Sequence, residues 1–274
     1  MSNPTMVVEP AGTGHTAAAR PVAVVTGAGR GLGRAVALGL VSAGFDLVAG
    51  WSSDEHAAQE TAAEAALLGG RALLIDGDVA EPKTAERMAE AALSEFHSLD
   101  VWVNNAGISC LAPLLSTTFE QVRRMCEVNF LGVFNGLTVA ARVMAARGGG
   151  RVINVASDLG VAAAPLLAGY SASKFAVVGL SQAAAVELAP MGILVNSVCP
   201  GTVETDMVLA EERAEAVALS TTVERVRQRL LADVPAGRMC NPEDVAEVVT
   251  FLAGPGASFI TGQAICVNGG SVRH

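Results

Sequence analysis

Between residues 21 and 267, short runs rich in Val, Ile and Leu alternate with longer runs of Ala-rich, helical character. The short runs are apolar throughout, PVAVV at 21–25 being the first. A strand apolar on both sides must be covered on both faces, which is the condition of parallel strands joined by crossover helices. Predicted strands fall at 21–25, 46–50, 71–75, 100–103, 151–155, 193–198 and 264–267. Predicted helices fall at 31–42, 54–68, 82–96, 117–146, 170–188 and 242–252. That rhythm predicts an α/β fold, a doubly wound parallel sheet of about seven strands flanked by helices. Residues 205–234 break it: two charged helical stretches stand where a strand is due, the place of a substrate lid. Residues 20–274 read as a single domain. Residues 1–19 read as a disordered leader without the cationic start or apolar stretch of a secretory signal.

Composition narrows the function. The 274 residues are 51% hydrophobic and 16% charged, too apolar for a disordered chain. The net charge of −9 opposes binding to a phosphate backbone, so nucleic acid is not an expected partner. Gly, Asp or Arg interrupts every candidate for an 18-residue apolar span, so a membrane is not expected either. Five scattered cysteines without a CxxC pair fit a cytoplasmic protein with neither a disulfide framework nor a metal site. Aromatic residues make up only 4%, and Tyr170 is the single tyrosine.

The segment Thr26-Gly27-Ala28-Gly29-Arg30-Gly31-Leu32-Gly33 lies between the first predicted strand and the first predicted helix. Gly27 permits a sharp turn, Gly31 lets the backbone approach a pyrophosphate, and Gly33 lets the helix pack closely on the sheet. The helix start adds N–H donors and the positive end of a dipole. A Rossmann-like dinucleotide site is expected here.

This G-x-x-x-G-x-G spacing, with Asn104-Asn105-Ala106-Gly107, Ser157, Tyr170-Ser171-Ala172-Ser173-Lys174 and Pro200-Gly201, resembles the short-chain dehydrogenase/reductases over about residues 20–271. The style is similar to both 3-oxoacyl carrier-protein reductases and acetoin or polyol dehydrogenases. The resemblance implies an NAD(P)-dependent oxidoreductase acting on a ketone or secondary alcohol. Tyr170 and Lys174, spaced i, i+4, share a helix face. A phenol of ordinary pKa about 10 is a poor base at neutral pH, and a neighbouring ammonium is expected to lower it. Ser157 falls at the carboxyl edge of a predicted strand, where its hydroxyl can hold a substrate oxygen. By resemblance, Asn129 completes the catalytic set by holding a water that relays protons to Lys174. A catalytically silent dinucleotide sensor or scaffold is the alternative, disfavoured because all four residues are present.

The resemblance also assigns cofactor contacts. Asp78 and Val79 would hold adenine, and Asn105, Ala106 and Gly107 would line the adenine ribose. Pro200, Gly201, Val203 and Thr205 would fix the nicotinamide, with Lys174 on its ribose. At the end of the second strand the discriminating position is Trp51, so the acid that repels a 2′-phosphate is missing. Ser52, Ser53 and Arg30 then favour NADP, NAD remaining possible. Expected pocket walls are Ser109, Cys110, Leu111, Asp158, Leu159, Ala164, Pro165, Met207, Val208 and Leu209. They would admit a small hydroxyketone, a polyol or a 3-oxoacyl compound. A carrier-protein partner would require a basic patch, for which Arg123 and Arg124 are candidates. The family's habit, with two long Ala- and Val-rich helices, implies a homotetramer or homodimer.

Overall fold

The structure is a computed structural model that describes residues 7–9 and 20–273. Its strands are β1 (Val7–Val8), β2 (Val22–Val25), β3 (Asp46–Trp51), β4 (Ala72–Asp76), β5 (Val101–Asn104), β6 (Gly150–Val155), β7 (Ile193–Pro200) and β8 (Ala264–Val267). They form one sheet in the order β1-β4-β3-β2-β5-β6-β7-β8. The seven strands from β2 to β8 are parallel, as the sequence implies. The eighth, β1, pairs antiparallel with β4 through Val7↔Leu73 and Val8↔Ala72. The sequence reading assigned Val7 and Val8 to a disordered leader; in the structure they cover the open edge of β4. Residues 1–6 and 10–19 lie outside the described residues.

The helices are α1 (Gly31–Ser42), α2 (Glu55–Leu67), α3 (Pro82–Glu95), α4 (Phe119–Met125), α5 (Gly132–Arg147), α6 (Ala168–Leu188), α7 (Asp206–Ala218), α8 (Val223–Ala232) and α9 (Pro242–Ala253). Strand side chains alternate between two cores. Ala23, Val25, Leu47, Ala49, Val101 and Val103 pack with residues of α1, α2 and α9. Val22, Val24, Val48 and Trp102 pack with residues of α3, α5 and α6. This double coverage accounts for the unbroken apolar character of the strands.

A buried polar chain crosses the second core. Trp102 Nε1 donates to Asn104 Oδ1 at 2.7 Å, Asn104 Nδ2 to Asn154 Oδ1 at 2.8 Å, and Asn154 Nδ2 to Ser181 Oγ at 2.8 Å. Each link satisfies a group that burial would otherwise leave without a partner, and together they tie β5, β6 and α6 into fixed register. Gly136 of α5 sits directly on this chain, where a Cβ would overlap Asn104 Oδ1 and come within 2.5 Å of Trp102 Nε1.

The expected helix over 117–146 is three pieces. It begins after a capping box made by Thr118 and Gln121, and it passes through a π-helical turn, Cys126–Leu131, before continuing as α5. A π turn carries one residue more than an α turn and so re-aims its side chains. Here it turns Asn129 fully into the protein. The run Phe119–Arg147 is long and apolar enough to cross a bilayer, but α5 packs on α3, β5 and β6 as a core helix. The two expected lid helices are α7 and α8.

Candidate active site

The carboxyl ends of β2, β3, β5, β6 and β7 open onto one cleft of about 1050 Å³, roofed by α7. All the residues that the sequence assigned to cofactor or catalysis line it, with the exception of Asn129.

At the glycine turn, Gly27 and Gly31 take positive φ values of 65° and 52°, a region L side chains rarely occupy. Gly33 has no room for a side chain, because a Cβ would overlap the carbonyl of Gly27. No side chain caps the start of α1, and its first turn carries no acid. Its first N–H groups are therefore donors awaiting an anion. Thr26 fastens this turn to the next loop: its Oγ1 accepts from Asn105 N at 2.9 Å and Ala106 N at 3.0 Å. Asn105 Nδ2 donates in return to Thr26 O at 2.9 Å and Gly27 O at 3.2 Å. Positively curved backbone, free helix N–H groups and a cleft of this size fit a pyrophosphate-bearing dinucleotide.

At the adenine end, Asp78 pairs with Arg124 at 2.5 Å and accepts from Ala80 N at 3.0 Å. Val79 lies against the backbone of Gly132. Arg30, Ser52 and Ser53 are exposed on the rim, and Trp51 ends β3 beside them. Asp54 caps α2 by accepting from Ala57 N at 3.0 Å and so is occupied with the helix.

The catalytic candidates converge at the other end. Tyr170 and Lys174 stand one turn apart on α6, with Lys174 Nζ 5.7 Å from the phenol ring centre. Lys174 is 3% exposed, and its Nζ donates to Val155 O at 2.9 Å. Ser157 follows β6; its Oγ accepts from Leu159 N at 3.1 Å and donates to Asp158 Oδ1 at 3.3 Å. Asn129 does not reach the cleft surface. Its Oδ1 accepts from Ile108 N at 2.8 Å, and its Nδ2 donates to Ile108 O at 2.9 Å and Ser173 Oγ at 3.0 Å. Ser173 donates to Tyr170 O at 2.7 Å, so Asn129 holds both the loop after β5 and the start of α6. Asn129 Oδ1 and Lys174 Nζ also approach one point, lying 3.4 and 3.5 Å from the Cβ position of Gly107.

The electrostatics differ from expectation. The sequence suggested that Lys174 draws the Tyr170 phenol down. Burial instead raises Tyr170 above the ordinary value, helped by the charges of Glu211 and Asp158, while the Ser157 hydroxyl pulls the other way. Lys174 is itself lowered to about 8 by burial, so its ammonium is a weak counter-charge. The proton therefore rests on the phenol, the form that can donate.

The pocket walls also need correction. Ser109, Leu111, Asp158, Leu159, Ala164, Met207 and Val208 line the cleft, whereas Cys110, Pro165 and Leu209 do not. Leu209 turns outward from α7 and is exposed. Arg123 pairs with Glu120 and Glu127, and Arg124 with Asp78, so neither guanidinium contributes to a free basic patch. Sequence reasoning missed Thr26 and Ser173, which sit inside the recognised motifs but act on neighbouring loops. It also missed Glu211, which no spacing distinguishes from the other acids of α7.

The sequence model of short chain dehydrogenases matches residues 21–216. A short-chain dehydrogenase/reductase of Armillaria gallica is 41% identical over 254 residues, covering 92% of this chain and 95% of the relative. A 3-oxoacyl-[acyl-carrier-protein] reductase of Synechocystis is 36% identical, covering 94% of this chain and 99% of that protein. The crystal structure of acetoin dehydrogenase from Enterobacter cloacae superposes with a TM-score of 0.79 at 34% identity, covering 92% of this chain and 96% of that one. The chain belongs to the short-chain dehydrogenase/reductase family. Its class is that of the NAD(P)-dependent oxidoreductases.

Proposed function

We propose that the protein interconverts a small ketone and its secondary alcohol, with Tyr170 as the acid/base and NADP as the preferred dinucleotide. The observation that carries this reading is the meeting of Ser157, Tyr170 and Lys174 at the end of a cleft that begins at the uncapped start of α1. When bound, the dinucleotide supplies or takes up the hydride. The residues' own tasks follow from their chemistry. Ser157 orients the substrate oxygen, and Tyr170 delivers its proton there in reduction and receives one in oxidation. Lys174 supports the phenolate left behind and would hold the nicotinamide ribose. Asn129 is a positioning residue that sets Tyr170 through Ser173 and presents an oxygen beside Lys174.

For the dinucleotide, Gly27, Gly31, Leu32 and Gly33 would cradle the pyrophosphate, and Asp78, Val79, Asn105, Ala106 and Gly107 the adenosine. Pro200, Gly201, Val203 and Thr205 would hold the nicotinamide. The preference for NADP is supported by Arg30, Ser52 and Ser53 on the rim, with Asp54 held by α2. Among substrates, the ion pairing of Arg123 and Arg124 favours a free hydroxyketone or polyol over a carrier-bound 3-oxoacyl chain.

A rate assay settles these points together. NADPH and NADH oxidation is followed with acetoin, sugar ketones and 3-oxoacyl thioesters. Turnover of the hydroxyketones with a higher kcat/KM for NADPH is expected, and Arg30→Ala should reduce that preference. Dinucleotide binding without turnover across the panel would contradict the reading.

A further inference from the structure

Six carboxylates of the lid and floor, Asp158, Asp206, Glu211, Glu212, Glu215 and Asp233, line the cleft. Two are neutralised within the lid. Arg227 serves Glu212 at 3.5 Å as well as Glu204, and Arg229 serves Glu215. With those guanidiniums engaged, no Lys, Arg or His nitrogen of the described residues lies within 4 Å of Glu211 or Asp158.

Of the other four, Asp206 and Asp233 are exposed, whereas Asp158 and Glu211 are half-buried and both act on the Tyr170 phenol. Asp158 has neutral donors around it, among them Ser157 Oγ at 3.3 Å and Ser271 Oγ at 3.2 Å. Glu211 lies beside Ser109. Ser109 Oγ is shielded from water and has no hydrogen-bond partner among the described residues. A carboxylate out of water and away from any cation favours a ligand that brings a hydrogen-bond donor and opposes one that brings a second negative charge. Burial holds both carboxyls above their usual range, as that absence of compensation requires.

We propose that Glu211 determines substrate specificity: with Asp158, it selects ketones that carry a hydrogen-bond donor beside the reacting carbonyl and rejects those that carry a carboxylate there. The inference rests on the reading of Tyr170 as the substrate's proton donor. It adds a second, independent ground for hydroxyketones over 3-oxoacyl chains, because the acyl portion of a 3-oxoacyl chain offers Glu211 no donor. A donor can be a hydroxyl or an ammonium, and the two respond differently to loss of the Glu211 charge.

Hydroxyacetone, aminoacetone and pyruvate are three ketones of nearly equal size that place a hydroxyl, an ammonium or a carboxylate next to the carbonyl. With wild-type enzyme, kcat/KM for hydroxyacetone should exceed that for pyruvate by about 100-fold or more, as juxtaposed like charges require. Glu211→Gln keeps the shape and an acceptor oxygen but removes the charge. It should narrow the gap by about 10-fold through a gain for pyruvate. If the natural donor is an ammonium, aminoacetone should be the better substrate and lose most in Glu211→Gln. If it is a hydroxyl, hydroxyacetone should lead and change little.

Calorimetry on the NADP⁺ complex of Tyr170→Phe, with 1,2-propanediol, 1-amino-2-propanol and lactate, reads the same order without turnover. Turnover of pyruvate equal to hydroxyacetone, or ratios unchanged in Glu211→Gln, would overturn this inference and leave the reductase reading standing. Selective binding of the donor-bearing alcohols without turnover of any ketone would uphold the selection and overturn the reductase reading. Loss of both signals would overturn both.

Discussion

Lys174 spends its working life almost out of water, with one backbone carbonyl as its hydrogen-bond acceptor. Its pKa falls from 10.5 to about 8, so between those values the unfolded chain binds more protons than the folded one. Stability therefore rises with pH across that window, and the full penalty for burying the ammonium is present below pH 8. A shift of this size corresponds to about 3 kcal/mol. Lys174→Met should accordingly raise the Tm of cofactor-free protein at pH 7, lose that advantage as pH approaches 10, and abolish turnover. A Tm that falls equally at both pH values would contradict the account. At this scale the sequence was most legible where chemistry demands a spacing. Tyr170 and Lys174 one helical turn apart, with Ser157 upstream, could be read directly. The direction of the phenol shift could not, because it depends first on burial of the ring and then on the charge of Glu211, both set by how the chain folds over the cleft.

Elements were legible where burial is symmetric. Seven strands are apolar on both faces, and each was found within a residue or two of its observed bounds. Two elements escaped for physical reasons. The pair Val7-Val8 is too short to show a period, and only the exposed edge of β4 makes it a strand. The π turn at Cys126–Leu131 leaves hydrophobic spacing nearly intact, so 117–146 reads as one helix although its middle turn is wider. The consequence is functional, since that turn carries Asn129 inward to Ile108 and Ser173. The packing of α5 on β5 is equally specific. Gly136→Ala would drive a methyl into Asn104 and Trp102 and break the buried polar chain. Overpacking of this kind costs about 1–3 kcal/mol. Urea denaturation should show a lower midpoint at unchanged slope, and an unchanged midpoint would mean that α5 can move away from β5.

For the whole molecule, the apolar surplus has two destinations. Much of it fills the two cores, while Phe119, Leu131, Phe134 and Phe175 remain exposed on α4, the π turn, α5 and α6. Phe251 of α9 and Phe259, the latter wholly exposed, are further such residues. Exposed apolar residues of this size suit contacts between subunits. Two self-complementary surfaces on one chain generate a tetramer of dihedral symmetry. Light scattering at micromolar concentration should give the mass of four chains, and Phe134→Glu with Phe175→Glu should reduce it. A wild-type monomer would contradict this assembly.

The glycine turn, the uncapped helix and the Ser157–Tyr170–Lys174 meeting point all serve one claim, that this cleft moves a proton through Tyr170 while a hydride is exchanged. Tyr170 is the sole tyrosine, so Tyr170→Phe removes the only phenol in the chain. The decisive measurement is the rate of NADPH oxidation by hydroxyacetone in that variant, taken with its NADPH affinity by fluorescence. Loss of a positioned general acid lowers the rate by about 10²–10⁴-fold. That loss is expected with NADPH affinity preserved; turnover near the wild-type rate would contradict the role of Tyr170 as proton donor.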